Sequence, residues 1–151
     1  MIIDVGALVD GYHSDMTRTF VIGRPTPLQR ELYELVLAAQ QAGVAAVAAG
    51  LSTKQLDAVC RDIITEGGYG DWFTHGTGHG VGLLIHEDPF VNRAGDAILQ
   101  VGDVVTVEPG VYREGFGGIR VEDLVVVTSE GCRVLTASPK ESPCPPFPPT
   151  I

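Results

Sequence analysis

Residues 1–22, MIIDVGALVDGYHSDMTRTFVI, form two β-branched runs around Asp10-Gly11, a dipeptide suited to the two-residue loop of a β-hairpin. The spacing predicts strands over residues 1–9 and 12–22, with Asp4 on the outgoing strand and Asp15 on the return. Acids among valine, isoleucine and threonine are poor strand formers and costly to bury without a partner. Something must neutralise them.

The pattern recurs further along. Ile3-Asp4-Val5-Gly6 is echoed by Val107-Glu108-Pro109-Gly110, and His13-Ser14-Asp15 by Arg120-Val121-Glu122. Residues 104–107 read as a short buried strand that 108–112 continue. A turn is expected at 115–118, the longest β-run at 119–128 and an edge strand at Val134-Leu135. Each hairpin thus carries one acid on each arm. Four carboxylates with a nearby imidazole suit a pair of divalent cations, bridged by carboxylates at about 3.5–4 Å and sharing a water. Oxygen-rich ligation with one histidine favours Mn²⁺, with Co²⁺, Fe²⁺ or Zn²⁺ as alternatives, over a thiolate zinc site.

The histidine comes from His75-Gly76-Thr77-Gly78-His79-Gly80-Val81-Gly82-Leu83-Leu84-Ile85-His86-Glu87, which holds three of the chain's four histidines. Alternate glycines let backbone or substrate approach closely. In an extended strand His75 and His79 share a face, and His86 lies on the other unless a bend intervenes. The segment reads as the wall of an active site.

Two helices separate the first hairpin from this wall. Thr26-Pro27-Leu28-Gln29 is a capping box with proline at the first helical position, opening a helix to about Ala49 that Gly50 ends. Leu28, Leu32, Leu35, Val36 and Ala39 form its apolar stripe. Ser52-Thr53-Lys54-Gln55 caps a second helix to about Glu66, with Leu56, Val59, Cys60, Ile63 and Ile64 inward. Cys60 is therefore core and not a nucleophile. Asp88-Pro89 should turn the chain into a surface loop over 90–102.

The 151 residues are 44% hydrophobic and 19% charged, enough for one globular domain with its own core. A net charge of -9 excludes a nucleic-acid surface, which would need a basic patch. No stretch reads as a signal peptide or membrane span, and three cysteines without CxxC spacing indicate neither disulfides nor a thiolate zinc site. A cytoplasmic protein is expected. The domain is expected over 1–140, followed by a proline-rich tail over 141–151. Asp71, Asp88 and Asp96 read as solvent-facing acids, His13 as an exposed strand residue, and Trp72 and Phe73 as core. Asp123 should point away from Glu122.

Taken together, Asp4-Val5-Gly6, Ser14-Asp15-Met16-Thr17-Arg18-Thr19, Gly78-His79-Gly80-Val81-Gly82, His86-Glu87, Glu108-Pro109-Gly110 and Gly118-Ile119-Arg120-Val121-Glu122-Asp123 resemble the M24 metallopeptidases. That family contains Xaa-Pro dipeptidases (prolidases), aminopeptidase P and methionine aminopeptidases. The resemblance runs from Met1 to about Lys140 and implies the α+β pita-bread fold, an antiparallel sheet with helices on its outer face.

By matching position, the resemblance makes Asp4, Asp15, His79, Glu108 and Glu122 the ligands of two metal ions, Asp15 and Glu122 bridging. It makes His75 and His86 substrate-facing, Glu108 the candidate proton acceptor, and Tyr12, Tyr112 and Arg120 outer residues that orient the carboxylates. The implied reaction is hydrolysis of the bond before proline by a water bridging the metals. Only thirteen residues separate Glu108 from Glu122, a spacing closer to prolidase and aminopeptidase P than to methionine aminopeptidase, the alternative within the family.

Family members usually place a helix pair and a strand before such a first hairpin, so the resemblance implies an N-terminally shortened chain. Part of the sheet should then be left as an apolar patch, covered by a homo-oligomer or a second chain. The alternatives to a working peptidase are an inactive fragment or a non-catalytic binding module of the same fold.

Overall fold

The computed structural model describes residues 1–143; the remainder of the proline-rich tail, 144–151, lies outside the described residues. The first hairpin forms about its expected loop, where Asp10 and Gly11 take φ of 50° and 87°. Each arm is cut in two. β1 (Ile2–Val5) pairs with β4 (Met16–Thr19), Asp4 opposite Thr17, while β2 (Leu8–Val9) and β3 (Tyr12–His13) form a separate outer ladder. The break falls at Gly6-Ala7 and Ser14-Asp15. A side chain at Gly6 would meet the Ser14 carbonyl oxygen at 2.2 Å, so the arms cross too closely there for a regular ladder.

α1 (Pro27–Ala46) and α2 (Thr53–Glu66) both start at the expected capping boxes, Thr26 with Gln29 and Ser52 with Gln55. α1 ends three residues before the expected Ala49, because Val47 turns extended. Its buried stripe is Leu32, Tyr33, Val36, Ala39, Gln40 and Gly43, and Leu28 at its first turn stays 38% exposed. Leu56, Cys60 and Ile64 of α2 are buried as expected, with the Cys60 thiol against the Ala39 carbonyl. Phe73 joins this core, and Trp72 packs at its margin.

The helices cover an antiparallel five-stranded sheet in the order β11 (Gly131–Val134), β10 (Asp123–Thr128), β7 (Val104–Val107), β5 (Gly78–Gly80), β6 (Glu87–Val91). Val105, Val107, Val125 and Val127 meet the helices and are at most 1% exposed. Asp88-Pro89, expected as a turn, lies inside β6. β6 is the sheet's edge, where proline's missing N–H leaves no partner unsatisfied.

The second hairpin repeats the break of the first. β8 (Gly110–Arg113) and β9 (Gly117–Arg120) form an outer ladder, separated from β7 and β10 at Glu108-Pro109 and Val121-Glu122. The continuous runs expected at 104–112 and 119–128 are therefore divided, and Asp15, Glu108 and Glu122 all stand at the divisions. Ile3, Val5, Leu8 and Val9 of the first hairpin are at least 40% exposed, the apolar patch the sequence anticipates. Among the described residues no helix is long and apolar enough to cross a membrane.

β5 can pass between β6 and β7 only because Gly78 and Gly80, on either side of His79, carry no side chains. A Cβ on Gly78 would lie 2.0 Å from the Thr106 carbonyl oxygen, and one on Gly80 2.3 Å from that of Asp88. Gly78→Ala should therefore destabilise the chain by about 3 kcal/mol or more, the upper range for overpacking. Chemical denaturation checks this, and an unchanged midpoint would contradict the packing described.

Candidate metal centre

The strand breaks turn three acids toward His79 of β5. Ligand atoms of Asp15, His79 and Glu122 all lie within 4.8 Å of one another. His79 Nε2 stands 3.1 Å from Glu108 Oε1 and 3.8 Å from Asp15 Oδ2. Asp4, on β1, joins the cluster at its exposed edge through an ion pair with Arg120. The structure thus brings four of the five expected ligands into close contact and places Asp4 beside them.

Glu122, Glu108 and His79 are each held from behind. Thr17 Oγ1 donates to Glu122 Oε2 at 2.5 Å, and Thr106 Oγ1 donates to Glu108 Oε1 at 3.0 Å while accepting from the His79 backbone. His79 Nδ1 lies 3.0 Å from the Gly80 carbonyl, which can only accept, so Nδ1 carries a hydrogen and Nε2 is the nitrogen that faces the carboxylates. An imidazole oriented in this way, among carboxylate oxygens, is the donor set of a divalent metal site. The residues fit the expected ions.

Electrostatics point the same way. Burial, then the charge of Glu108, pushes the Glu122 carboxyl up to about 8, against the opposing hydrogen bond from Thr17. Burial and Asp4 raise Asp15. Burial lowers the His79 affinity for a proton, but its bonds to Glu108 and Gly80 and the neighbouring carboxylates outweigh that, and its pKa rises. Burial and the crowding of negative charge keep protons on these groups.

Arg120 lies against the acids of the cluster. It reaches Asp4, donates from Nε to Thr17 Oγ1 at 3.0 Å, and lies 3.9 Å from Glu108 Oε2. Tyr112 acts through it, accepting from Arg120 Nη1 at 3.0 Å instead of touching a carboxylate. Tyr12 does not belong to this shell: it is 63% exposed on the outer ladder, beyond the break at Ser14, and bonds to none of the carboxylates. His13 is half-buried, and its backbone and ring both bond the Gly82 carbonyl, tying the first hairpin to the histidine segment.

A cavity of about 300 Å³ lies against the cluster, lined by His75, His79, His86, Phe90, Glu108 and Arg120 among others. The chain bends after β5, which returns His86 across the strand's parity to pack edge-on against His79 with ring centroids 4.2 Å apart. His75 and His86 therefore both face the space beside the ligands.

Two buried supports escaped the sequence reading. Asp57 and Arg61 of α2 form a two-point ion pair; Arg61 holds the Phe73 and His75 carbonyls, and Asp57 holds the backbone and hydroxyl of Thr77. The Thr77 carbonyl in turn accepts from the Glu108 backbone at 2.8 Å. On the far side of Glu122, Asp123 is buried and turned away as expected, against Arg18, Gln40 and Lys140. The i,i+4 spacing of Asp57 and Arg61 on the buried side of α2 was the available signal; Lys140 offered none.

With this geometry in view, the chain's sequence matches the metallopeptidase family M24 over residues 1–129. The chain belongs to that family, and its fold is the pita-bread fold. It is 48% identical over 141 residues to the Xaa-Pro dipeptidase of Pyrococcus furiosus, covering 93% of this chain and 40% of that protein. The prolidase crystal structure from Pyrococcus horikoshii OT3 superposes with a TM-score of 0.91 at 46% identity, over 93% of this chain and 40% of that one. An Escherichia coli aminopeptidase P structure gives 0.82 at 30% identity, over 94% and 39%. The chain thus spans about 40% of the length of these relatives.

The raised carboxyls have a consequence for stability. A group whose folded pKa lies above its unfolded value contributes stability that is present at low pH and lost as pH rises through the folded pKa. For Glu122 the window runs from the ordinary 4.5 to about 8, with Asp15 and His79 acting in the same direction. His75, lowered by burial, opposes them. The metal-free chain should melt at progressively lower temperature across this window, and Glu122→Gln should flatten the trend. A melting temperature that rises with pH in the metal-free chain would contradict the electrostatics above.

Proposed function

We propose that this chain carries the metal centre of an Xaa-Pro peptidase, hydrolysing the peptide bond before proline with two divalent ions, Mn²⁺ foremost. The convergence of Asp15, His79, Glu108 and Glu122 beside a cavity lined by His75 and His86 is the observation that carries this reading. The relatives named as Xaa-Pro dipeptidases support the substrate class.

Asp15 and Glu122 would be shared between the two ions, Asp4 would serve one, and His79 with Glu108 the other. When bound, the ions would supply a nucleophilic water at neutral pH and polarise the scissile carbonyl. The protein's own residues do the rest. Glu108, with one oxygen occupied by Thr106, has Oε2 available to take the water's proton. Arg120 and Thr17 keep the acids from turning away before the ions bind. His86, exposed on the cavity wall, would be the group that gives the leaving proline nitrogen its proton. Phe90, 45% exposed in the same cavity, offers an apolar surface to the substrate.

The test is hydrolysis of an Xaa-Pro dipeptide by the Mn²⁺-reconstituted chain, with a non-proline dipeptide as control. Asp15→Asn and Glu122→Gln should each lower turnover by more than the roughly 10–100-fold that loss of an outer partner costs. Proline-dependent turnover that survives in both variants would refute the assignment.

A further inference from the structure

We propose that Tyr112 and the Gly76 carbonyl hold His75 as the neutral tautomer protonated at Nδ1, which makes His75 a positioning residue and not a proton donor. The assignment follows from which groups can donate. Arg120 has only donors, and its Nη1 lies 3.0 Å from the Tyr112 hydroxyl oxygen. The hydroxyl accepts that bond, and its own hydrogen is left for His75 Nε2, also at 3.0 Å. Across the ring, His75 Nδ1 lies 2.7 Å from the Gly76 carbonyl oxygen, which can only accept. A lone pair at that distance would be repelled, so Nδ1 carries the hydrogen and Nε2 does not.

The competing arrangements each lose something. Turning the ring over exchanges both nitrogens for carbons and forfeits both bonds. A doubly protonated ring would set a second N–H against the Tyr112 hydroxyl, already engaged by Arg120, and bury a charge that desolvation disfavours more than nearby Glu108 favours it. The ring's position is fixed as well: Phe73 packs edge-on against it with centroids 5.2 Å apart, and Arg61 holds its carbonyl at 2.7 Å.

The proton arrangement stands by itself, and only its catalytic meaning rests on the peptidase reading. With both ring nitrogens committed, His75 turns carbon toward the cavity. Among the described residues His86 makes no hydrogen bond through its ring, so His86 is the cavity histidine able to exchange a proton with a peptide.

Nitrogen NMR on the chain labelled with ¹⁵N-histidine tests this at pH 7.5, metal-free and Zn²⁺-loaded, with the His75 signals identified by their loss in His75→Gln. The expected pattern is a protonated Nδ1 and an unprotonated Nε2. In Tyr112→Phe the tautomer should persist on Gly76 while the Nε2 signal moves downfield, having lost its donor. A protonated Nε2 would overturn the proposal, and so would an Nε2 signal that Tyr112→Phe leaves unmoved in a folded chain. Should that variant fail to fold, the wild-type pattern still decides the tautomer. Neither readout needs turnover, so an inactive chain would count against the peptidase reading and leave this one intact.

Discussion

Four carboxylates facing one another around a single imidazole are the constraint on which the rest of this structure depends. Such a cluster is repulsive, and burial amplifies the repulsion because little water remains to screen it. At Glu122 burial, and then the charge of Glu108, carry the proton affinity to about 8. A fold tolerates this only if another interaction draws the acids together. Divalent cations would supply that attraction, and Thr17, Thr106 and Arg120 hold acids of the cluster in place.

The scaffold follows from the same need. A regular strand would send successive side chains to opposite faces and could not aim Asp15, Glu108 and Glu122 at one point. Breaking both hairpins at matching positions solves the problem, since a residue at a break leaves the pleat. Bare glycine backbone on β5 then lets His79 approach from the sheet's middle. Behind the site, Asp57 with Arg61 and Asp123 with Arg18 and Lys140 fix the backbone that carries the ligands. Their charges are paired with one another, so they add rigidity without joining the cluster.

Much of this was legible in the chain. Asp10-Gly11 and the two capping boxes are local signals whose chemistry demands one geometry, and each was found where expected. The echo between the hairpins revealed the acids because charge inside a β-branched run has few explanations. The strand breaks were hidden, because apolar alternation runs on through Gly6-Ala7 and Val121 while the ladder does not. The early end of α1 was equally obscure, since Val47 and Ala48 read as helix until packing turns them. Tyr12, an outer residue by the resemblance, lies across a break that only the fold creates. Partners distant along the chain, such as Lys140 and Asp123, left no periodic trace.

The central claim is that this cluster exists to hold two cations, and metal stoichiometry tests it most directly. Equilibrium dialysis of the purified chain against Mn²⁺, followed by elemental analysis, should find two ions per chain, with loss of binding in Glu122→Gln. No bound metal, or binding that Glu122→Gln leaves unchanged, would contradict the account.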